Sequence, residues 1–415
     1  MPSGVVMPSS MGVQQGAAPL IASDVGVGGG PIWYATADYL LWKVKDSNIP
    51  STATATPFGA LTVTAMNTGV GAPPNQTVSL PVFSQSAATF GDGNRTNTGF
   101  QNGGQFSAGF WVDSDMTFGL EARFLFLATT SSSFNVNTSP NNAFVAPTGL
   151  SQTTFTPGTV FVPSTTFTTP ILLAGNVNGQ VNGVASNSLY NAEANARCVF
   201  LRFGSADFGA LAGFRFLTFM DELAINSSVS LTGVSSTPAG ALAGGAQNFS
   251  YSSVDNTRVY NYFYGGQVGL DMNYQIGSFF VYTRGTIAAG NNHQIADVNS
   301  LGTTTTATGT TTTGGLLATP ADNGRHTRDE LAYIPAVEVK VGYQFTDWLR
   351  GSVGYGGVYL GNFARAADST TLNTFNGNAN INSNVTPLTV AQPNFRFRDS
   401  SIYVQGITFG LEAKF

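Results

Sequence analysis

Residues 118–126 read FGLEARFLF, and residues 407–415 read ITFGLEAKF. In both stretches apolar side chains fill one set of alternate positions, and charged side chains such as Glu121 and Lys414 fall in the other set. Successive side chains of a β-strand point to opposite faces of the sheet. Each stretch therefore predicts a strand with one apolar face and one charged face.

Segments with this period recur along the chain. Their length of about ten residues is what a tilted strand needs to cross a bilayer. Ten such segments are predicted, at about 33–43, 104–113, 117–128, 186–200, 207–219, 257–273, 278–291, 328–345, 348–361 and 401–415.

Short and long connections alternate between these segments. The long spans are rich in Thr, Asn, Ser, Gly and Pro, and they lie at 44–103, 129–185, 220–256, 292–327 and 362–400. Outer-membrane barrels show this alternation because short turns face the periplasm and long loops face outside. We therefore predict an all-β fold over 31–415, a closed antiparallel up-and-down transmembrane β-barrel. The expected number of strands is about ten, or twelve if 220–256 holds a further hairpin.

The composition of the 415-residue chain excludes several classes of protein. Only 9% of the residues are charged, against about 25% in a typical soluble domain, and 42% are hydrophobic. The net charge of −5 argues against binding to nucleic acid, and 31 Phe and 14 Tyr argue against disorder. The sequence has no run of about 18 apolar residues, so a membrane-spanning form must be a barrel.

The strand phase places charged residues on the inner wall of the predicted barrel, because Arg or Lys facing lipid at the bilayer midplane costs about 2–4 kcal/mol. Two roles remain open for them. They form either a ladder of salt bridges that fills a narrow interior, or a charged constriction that selects permeating ions. The predicted lumen cluster consists of Asp38, Glu121, Arg123, Glu193, Arg197, Arg215, Arg284, Glu338, Lys340, Arg350, Glu412 and Lys414.

Aromatic residues at strand ends are typical of girdles at the two membrane interfaces. The alternative is the general enrichment of aromatic residues in β-sheets. On the first interpretation we expect girdle positions for Trp33, Tyr34, Trp42, Trp111, Tyr343 and Trp348.

The sequence predicts no catalytic residue, no cofactor and no metal site. One Cys and two His are too few for a zinc centre, which usually takes four such ligands. His293 and His326 flank the fourth long span, with Asp329 nearby, which leaves an outer-membrane hydrolase as an alternative. A further alternative is an adhesion or receptor surface formed by the long loops on an inert barrel.

The two ends of the chain carry separate signals. Residues 1–30 lack the basic start and apolar block of a secretory signal, and we expect a flexible leader there. Residues 407–415 resemble the closing strand of bacterial outer-membrane proteins, which ends in an aromatic residue. That resemblance implies the barrel assembly machinery as a partner. It also implies an assembly signal at Ile407, Phe409, Leu411 and Phe415.

Further motifs cover most of 33–415 in order. They include ADYLLW at 37–42, YGGQVGL at 264–270, GGLLA at 314–318 and WLR at 348–350. In these motifs the chain is similar to the planctomycete-type beta-barrel porin family, seventh group. The resemblance implies a barrel embedded in the lipid of the bacterial outer membrane, acting as a porin-like pore for small solutes or ions, or as an envelope-structural barrel. Assembly into a homo-oligomer stays open, and the family offers no ligand or catalytic residue to carry over.

Overall fold

The computed structural model describes residues 32–49, 53–56, 58–65, 76–83, 88–90, 95–96, 98–137, 144–147, 171–173, 176–237, 247–306, 309–315, 317–370 and 396–415. The leader expected at 1–30 lies outside these residues. Ten strands form the barrel: β1 (Ile32–Val44), β2 (Gln101–Trp111), β3 (Phe118–Asn137), β4 (Asn176–Phe203), β5 (Ala206–Thr237), β6 (Gln247–Ile276), β7 (Phe279–Thr306), β8 (Gly324–Gln344), β9 (Leu349–Ala364) and β10 (Asp399–Lys414).

These strands close into a ring. Each one pairs antiparallel with its neighbours in chain order, and β10 pairs with β1. At this seam the backbone N–H of Trp33 donates to the carbonyl of Phe415 at 2.9 Å, and the N–H of Phe415 donates to the carbonyl of Trp33 at 3.0 Å. Closure leaves no unpaired strand edge in the bilayer. The predicted fold class is confirmed, with ten strands in the ring.

Several strands are much longer than the sequence predicted. β5 has 32 residues and β6 has 30, roughly three times the length that crosses a bilayer. Within the predicted loop at 220–256, the described residues extend these two strands as a paired ribbon and add no hairpin to the ring. The apolar alternation stops at the membrane boundary, but the backbone ladder continues because pairing satisfies the N–H and C=O groups.

The short connections lie at one end of the barrel, close to where the sequence placed them, at 112–117, 204–205, 277–278 and 345–348. Two of them are two-residue turns that begin with a glycine, Gly204 and Gly277, each with φ of 59°. This left-handed conformation suits a tight hairpin turn and costs glycine little.

Short turns of outer-membrane barrels face the periplasm, so we assign the end with the short connections to the periplasm.

Smaller elements lie outside the ring. Ile171–Leu173 pairs with β5, and Gly309–Thr313 pairs with β7. Two separate sheets contain Ala53–Thr56, Ala88–Phe90 and Phe144–Pro147, and Phe58–Ala65 with Gln76–Phe83. Among the described residues, the helical elements are the 3₁₀ turn Pro320–Asp322 and the α-helical turn Ala366–Ser369. Within the described ranges, neither helix has the length and apolar character needed to cross a membrane.

The outer face of the barrel is apolar between two aromatic rings. Valines such as Val337, Val339 and Val341 are exposed in the band between them. The ring away from the short turns includes exposed Tyr190, Tyr264, Tyr333 and Tyr403, and the ring at the short turns includes Trp33, Phe203, Phe279, Trp348 and Phe415. These rings are typical of the two membrane interfaces and delimit the membrane-spanning part of each strand.

Three of the residues expected in the girdles lie elsewhere. Tyr34 and Trp42 are 8% and 4% exposed, because they share the inward phase of Asp38 on β1. Trp111 lines a cavity in the lumen. The girdle prediction was wrong for these three residues because it used the distance to the strand end and ignored strand phase.

Candidate functional site

The inner wall near the short turns carries the charged side chains. Glu121 on β3 lies at the centre of the main network. Its carboxylate accepts hydrogen bonds from Arg284 at 2.5 Å, from Arg197 at 3.1 Å and from the Tyr34 hydroxyl at 3.0 Å. The side chains of Glu121 and Arg284 are each 4% exposed. Burial of single charges is costly, so each of these side chains depends on its partners.

Glu193 on β4 extends this network across the lumen. Its carboxylate accepts from Arg215 at 2.7 Å and from Arg284 at 3.4 Å, so that Arg284 joins both glutamates. The side-chain amides of Asn191 and Gln267 donate to the same carboxylate at 2.9 and 3.0 Å. With the side-chain amide of Asn195, which donates at 3.4 Å, five donors surround this buried anion.

A further group of ion pairs connects β1, β3 and β8. The ammonium group of Lys340 on β8 lies 2.7 Å from Asp38 on β1 and 3.0 Å from Glu338. Arg123 on β3 forms an ion pair with Glu338. Because β8 is not a neighbour of β1 or β3 in the ring, these contacts cross the lumen and fill it with side chains.

The remaining charges lie nearest to the short turns. The carboxylate of Glu412 accepts from Arg350 at 2.6 Å and lies 3.7 Å from the ammonium group of Lys414. The Arg350 guanidinium lies 4.5 Å from the ring centroid of Phe280. The structure thus places every residue of the predicted lumen cluster on the inner wall and in an ion pair.

Sequence reasoning missed several partners in these networks, among them the amides of Asn191 and Gln267. Asp271 on β6 accepts from Arg197 at 3.0 Å, and Tyr34 donates to Glu121. Asp271 lies on the polar phase of its strand, opposite Leu270 and Met272, so the rule that identified the other charges also applied to it. Tyr34 shares the inward phase of Asp38, so strand phase was also the signal for its position.

A cavity of about 410 Å³ opens in the lumen at the short-turn end. Ser114 and Met116 of the first short turn line its mouth, and Glu121 and Arg284 line its inner end. The cavity therefore faces the periplasm and ends at the main ion-pair network.

Beyond that network, toward the long loops, the lumen is filled mainly by apolar side chains, with the buried amides Gln101, Asn187, Asn261 and Asn292 among them. Its fully or almost fully buried members come from β1 and β3 to β10, and include Leu40, Leu127, Leu189, Leu217, Phe263, Ala288, Ile334, Leu360 and Val404. The sequence predicted a polar interior throughout. It failed here because a narrow barrel has a packed core of its own, and close packing requires apolar side chains.

From the last three residues of β9 onward, the chain folds back into the lumen above this layer. We call 362–370 the inner segment. The side-chain amide of Asn261 donates to the carbonyl of Ala364 at 2.9 Å and its oxygen accepts from the N–H of Ala364 at 2.8 Å. Asp221 accepts from the Nε and NH2 groups of Arg365 at 3.1 and 3.0 Å. The sequence placed these residues in a long external loop, since a local pattern does not show which wall a connection packs against.

The two histidines do not form one site. His293 faces outward, where its Nδ1 lies 3.0 Å from Asp329. His326 lies on the inward phase of β8, and its Nε2 contacts the carbonyl of Asp322 at 2.8 Å. Hydrogen bonds from Asn291 and His293 lower the pKa of the Asp329 carboxyl. Among the described residues, no group of three His, Cys, Asp or Glu side chains could hold a metal ion.

Comparison with solved structures returns outer-membrane barrels at low similarity. The outer membrane protease OmpT from Escherichia coli is 11% identical with a TM-score of 0.36, covering 94% of this chain and 99% of its own. A deletion mutant of the monoaromatic hydrocarbon channel TodX is 8% identical with a TM-score of 0.24, covering 94% of this chain and 91% of its own. A FadL homologue from Pseudomonas aeruginosa is 7% identical with a TM-score of 0.22, covering 93% of this chain and 90% of its own. Scores this low carry no inference about activity.

No curated protein matches the chain in sequence. A family model does match, and it covers almost the whole barrel. The matched region begins at the third residue of β1 and ends at Phe415, so it includes every strand of the ring and the lumen networks. The chain is therefore a porin-like outer-membrane β-barrel, and over residues 34–415 it belongs to the family described as "Putative beta barrel porin-7".

Proposed function

We propose that this protein serves as a sealed, porin-like structural barrel of the cell envelope. The supporting observation is the apolar layer that crosses the lumen beyond the ion-pair network, with Leu40, Phe263 and Ile334 fully buried. An ion entering this layer would lose its water, and the desolvation of a single charge in a medium of low dielectric costs on the order of 20 kcal/mol. The layer therefore closes the conduction path.

Planar-bilayer recordings on the purified full chain test this proposal. We expect no discrete conductance steps at high protein load, with insertion verified by heat modifiability of the same sample on a gel. Regular steps of one size from the wild-type protein would overturn the structural role.

A solute pore opened by withdrawal of the inner segment is a second candidate. The observation that favours it is the polar docking of this segment, in which Asn292 and Gln294 donate to the carbonyl of Asn362 at 3.0 and 2.9 Å. Such hydrogen bonds can be exchanged for water. Phe363 of the same segment is a member of the apolar layer, so withdrawal of the segment also removes a side chain from that layer. This candidate predicts conductance steps in Asp221→Asn, which weakens the docking of Arg365, and none in Glu222→Gln.

The adhesion interpretation concerns loops that lie largely outside the described residues, and it stays a prediction. Shortening 44–103 or 129–185 in a barrel that still assembles would abolish surface attachment if the loops carry it. The proposal includes no catalytic step, and no role in catalysis is assigned to His293 or His326.

A further inference from the structure

We propose that the periplasmic end of the lumen binds a small organic anion, a carboxylate or phosphate compound, between Arg350 and Lys414. Both cations share one carboxylate, Glu412, and Lys414 lies at the longer distance of 3.7 Å. The side chains of Lys414 and Arg350 are 22% and 15% exposed to the space inside the lumen. The ammonium group of Lys414 thus has donor capacity that its distant partner Glu412 does not use.

The acceptors in the same region are already occupied. Both oxygens of Glu121 accept from charged groups, and so do both oxygens of Glu338. One oxygen of Asp38 accepts from Gln105 and Lys340, each at 2.7 Å. An incoming cation would find few free acceptors at this depth, whereas an incoming anion would find the loosely paired ammonium group of Lys414.

The charges that line the cavity balance one another. The cations are Arg123, Arg197, Arg202, Arg284, Lys340, Arg350 and Lys414, and the anions are Asp38, Asp115, Glu121, Asp207, Asp271, Glu338 and Glu412. The ion pair between Glu412 and Lys414 has the longest distance among those of the lining, 3.7 Å against 3.6 Å for Asp207 and Arg202 at the mouth. Lys414 is therefore the cation that an incoming anion can reach with the least competition.

The geometry gives such an anion a place and an entrance. Arg350, Lys414 and Arg197 all line the cavity of about 410 Å³, a volume within the range of small-molecule sites. Phe280 and Trp111 stack against the guanidinium groups of Arg350 and Arg197, at 4.5 and 5.3 Å, and hold them in place. Because the mouth lies among the short turns, the anion would arrive from the periplasm. Anion binding in this cavity does not require the barrel to conduct ions.

Isothermal titration calorimetry on the purified full chain in detergent tests the proposal. The probes are sodium succinate and sodium phosphate, with sodium chloride at matched ionic strength as the baseline and choline chloride as the cation control. We expect saturable binding of at least one anion and none of choline. Lys414→Gln should weaken the binding at least tenfold, and Arg350→Gln should do the same.

The control variant is Arg325→Gln, which removes the same charge from an exposed side chain paired with Asp297 on the outer face at 3.8 Å. It should bind like the wild type. Folding of each variant is verified by heat modifiability, and Lys414→Gln keeps the test valid if Arg350→Gln fails to assemble. Absence of saturable binding of both anions, equal binding of choline, or wild-type affinity in Lys414→Gln would overturn the proposal.

Discussion

Glu121 is a buried carboxylate that contributes to the stability of the lumen network, because it forms ion pairs with both Arg284 and Arg197. Replacing it in Glu121→Gln removes one of the two carboxylates that pair with each guanidinium group, which leaves Glu193 for Arg284 and Asp271 for Arg197. We expect the free energy of unfolding to fall by about 3–5 kcal/mol, the usual cost of breaking a buried ion pair from one side. Urea unfolding in detergent, followed by Trp fluorescence, measures the change.

The matched control for this prediction is Glu222→Gln. Glu222 pairs with Arg258 at 2.7 Å on the outer face, where the Arg258 side chain is 42% exposed. Exposed pairs contribute at most about 1 kcal/mol, so this variant should unfold nearly like the wild type. Equal losses in the two variants would show that the lumen network does not stabilise the barrel.

Asp113 stabilises the first short turn through hydrogen bonds to the backbone. The backbone N–H groups of Phe118 and Thr117 donate to its carboxylate at 2.8 and 2.9 Å, and these hydrogen bonds lower its pKa. A carboxyl group with a lowered pKa stabilises the fold above its unfolded value of about 3.9 and loses that contribution as the pH falls through the folded value. Asp113→Ala should therefore be less stable than the wild type at neutral pH, by an amount that shrinks below about pH 4. Unfolding midpoints across this range would contradict the prediction if the difference stayed constant.

At the scale of elements, the inner segment is held by one buried ion pair together with hydrogen bonds from Asn261 and the packing of its alanines. Arg365 is 2% exposed and Asp221 is 4% exposed. Asp221→Asn leaves the Arg365 charge without its counterion, so we expect the docking of the segment to weaken by about 3–5 kcal/mol. Limited trypsin digestion measures the loss of docking, because trypsin cleaves after Arg365. Cleavage there should be faster in Asp221→Asn and unchanged in Glu222→Gln, the adjacent residue on the opposite face.

At the scale of the whole molecule, a substitution at Phe415 distinguishes assembly in the outer membrane from the stability of the folded barrel. Its backbone closes the ring against Trp33, whereas its side chain is 65% exposed. Phe415→Ala keeps both backbone hydrogen bonds, so we expect normal refolding into detergent and a several-fold loss of assembled protein in the outer membrane. Phe203→Ala removes another exposed aromatic side chain near the short turns, 77% exposed, and should assemble normally. Equal membrane levels of the two variants, measured by heat-modifiable protein on a gel, would refute the assembly signal.

The sequence alone determined the barrel, its size of about ten strands and the inward phase of its charges, whereas the structure excluded the alternative of twelve strands in the ring. These features follow from a period of two that each strand carries within about ten residues, and from the cost of placing charge in lipid. Glu121, Arg197 and Lys340 could therefore be assigned to the inner wall one strand at a time.

Only the tertiary structure decided which charges pair across the lumen, where the interior turns apolar and where the inner segment folds. Arg123 meets Glu338, and Arg365 meets Asp221, over sequence separations of 215 and 144 residues. Such contacts depend on the stagger of the strands and the width of the closed ring, which are properties of all ten strands together. The pattern within a single strand therefore does not predict these contacts.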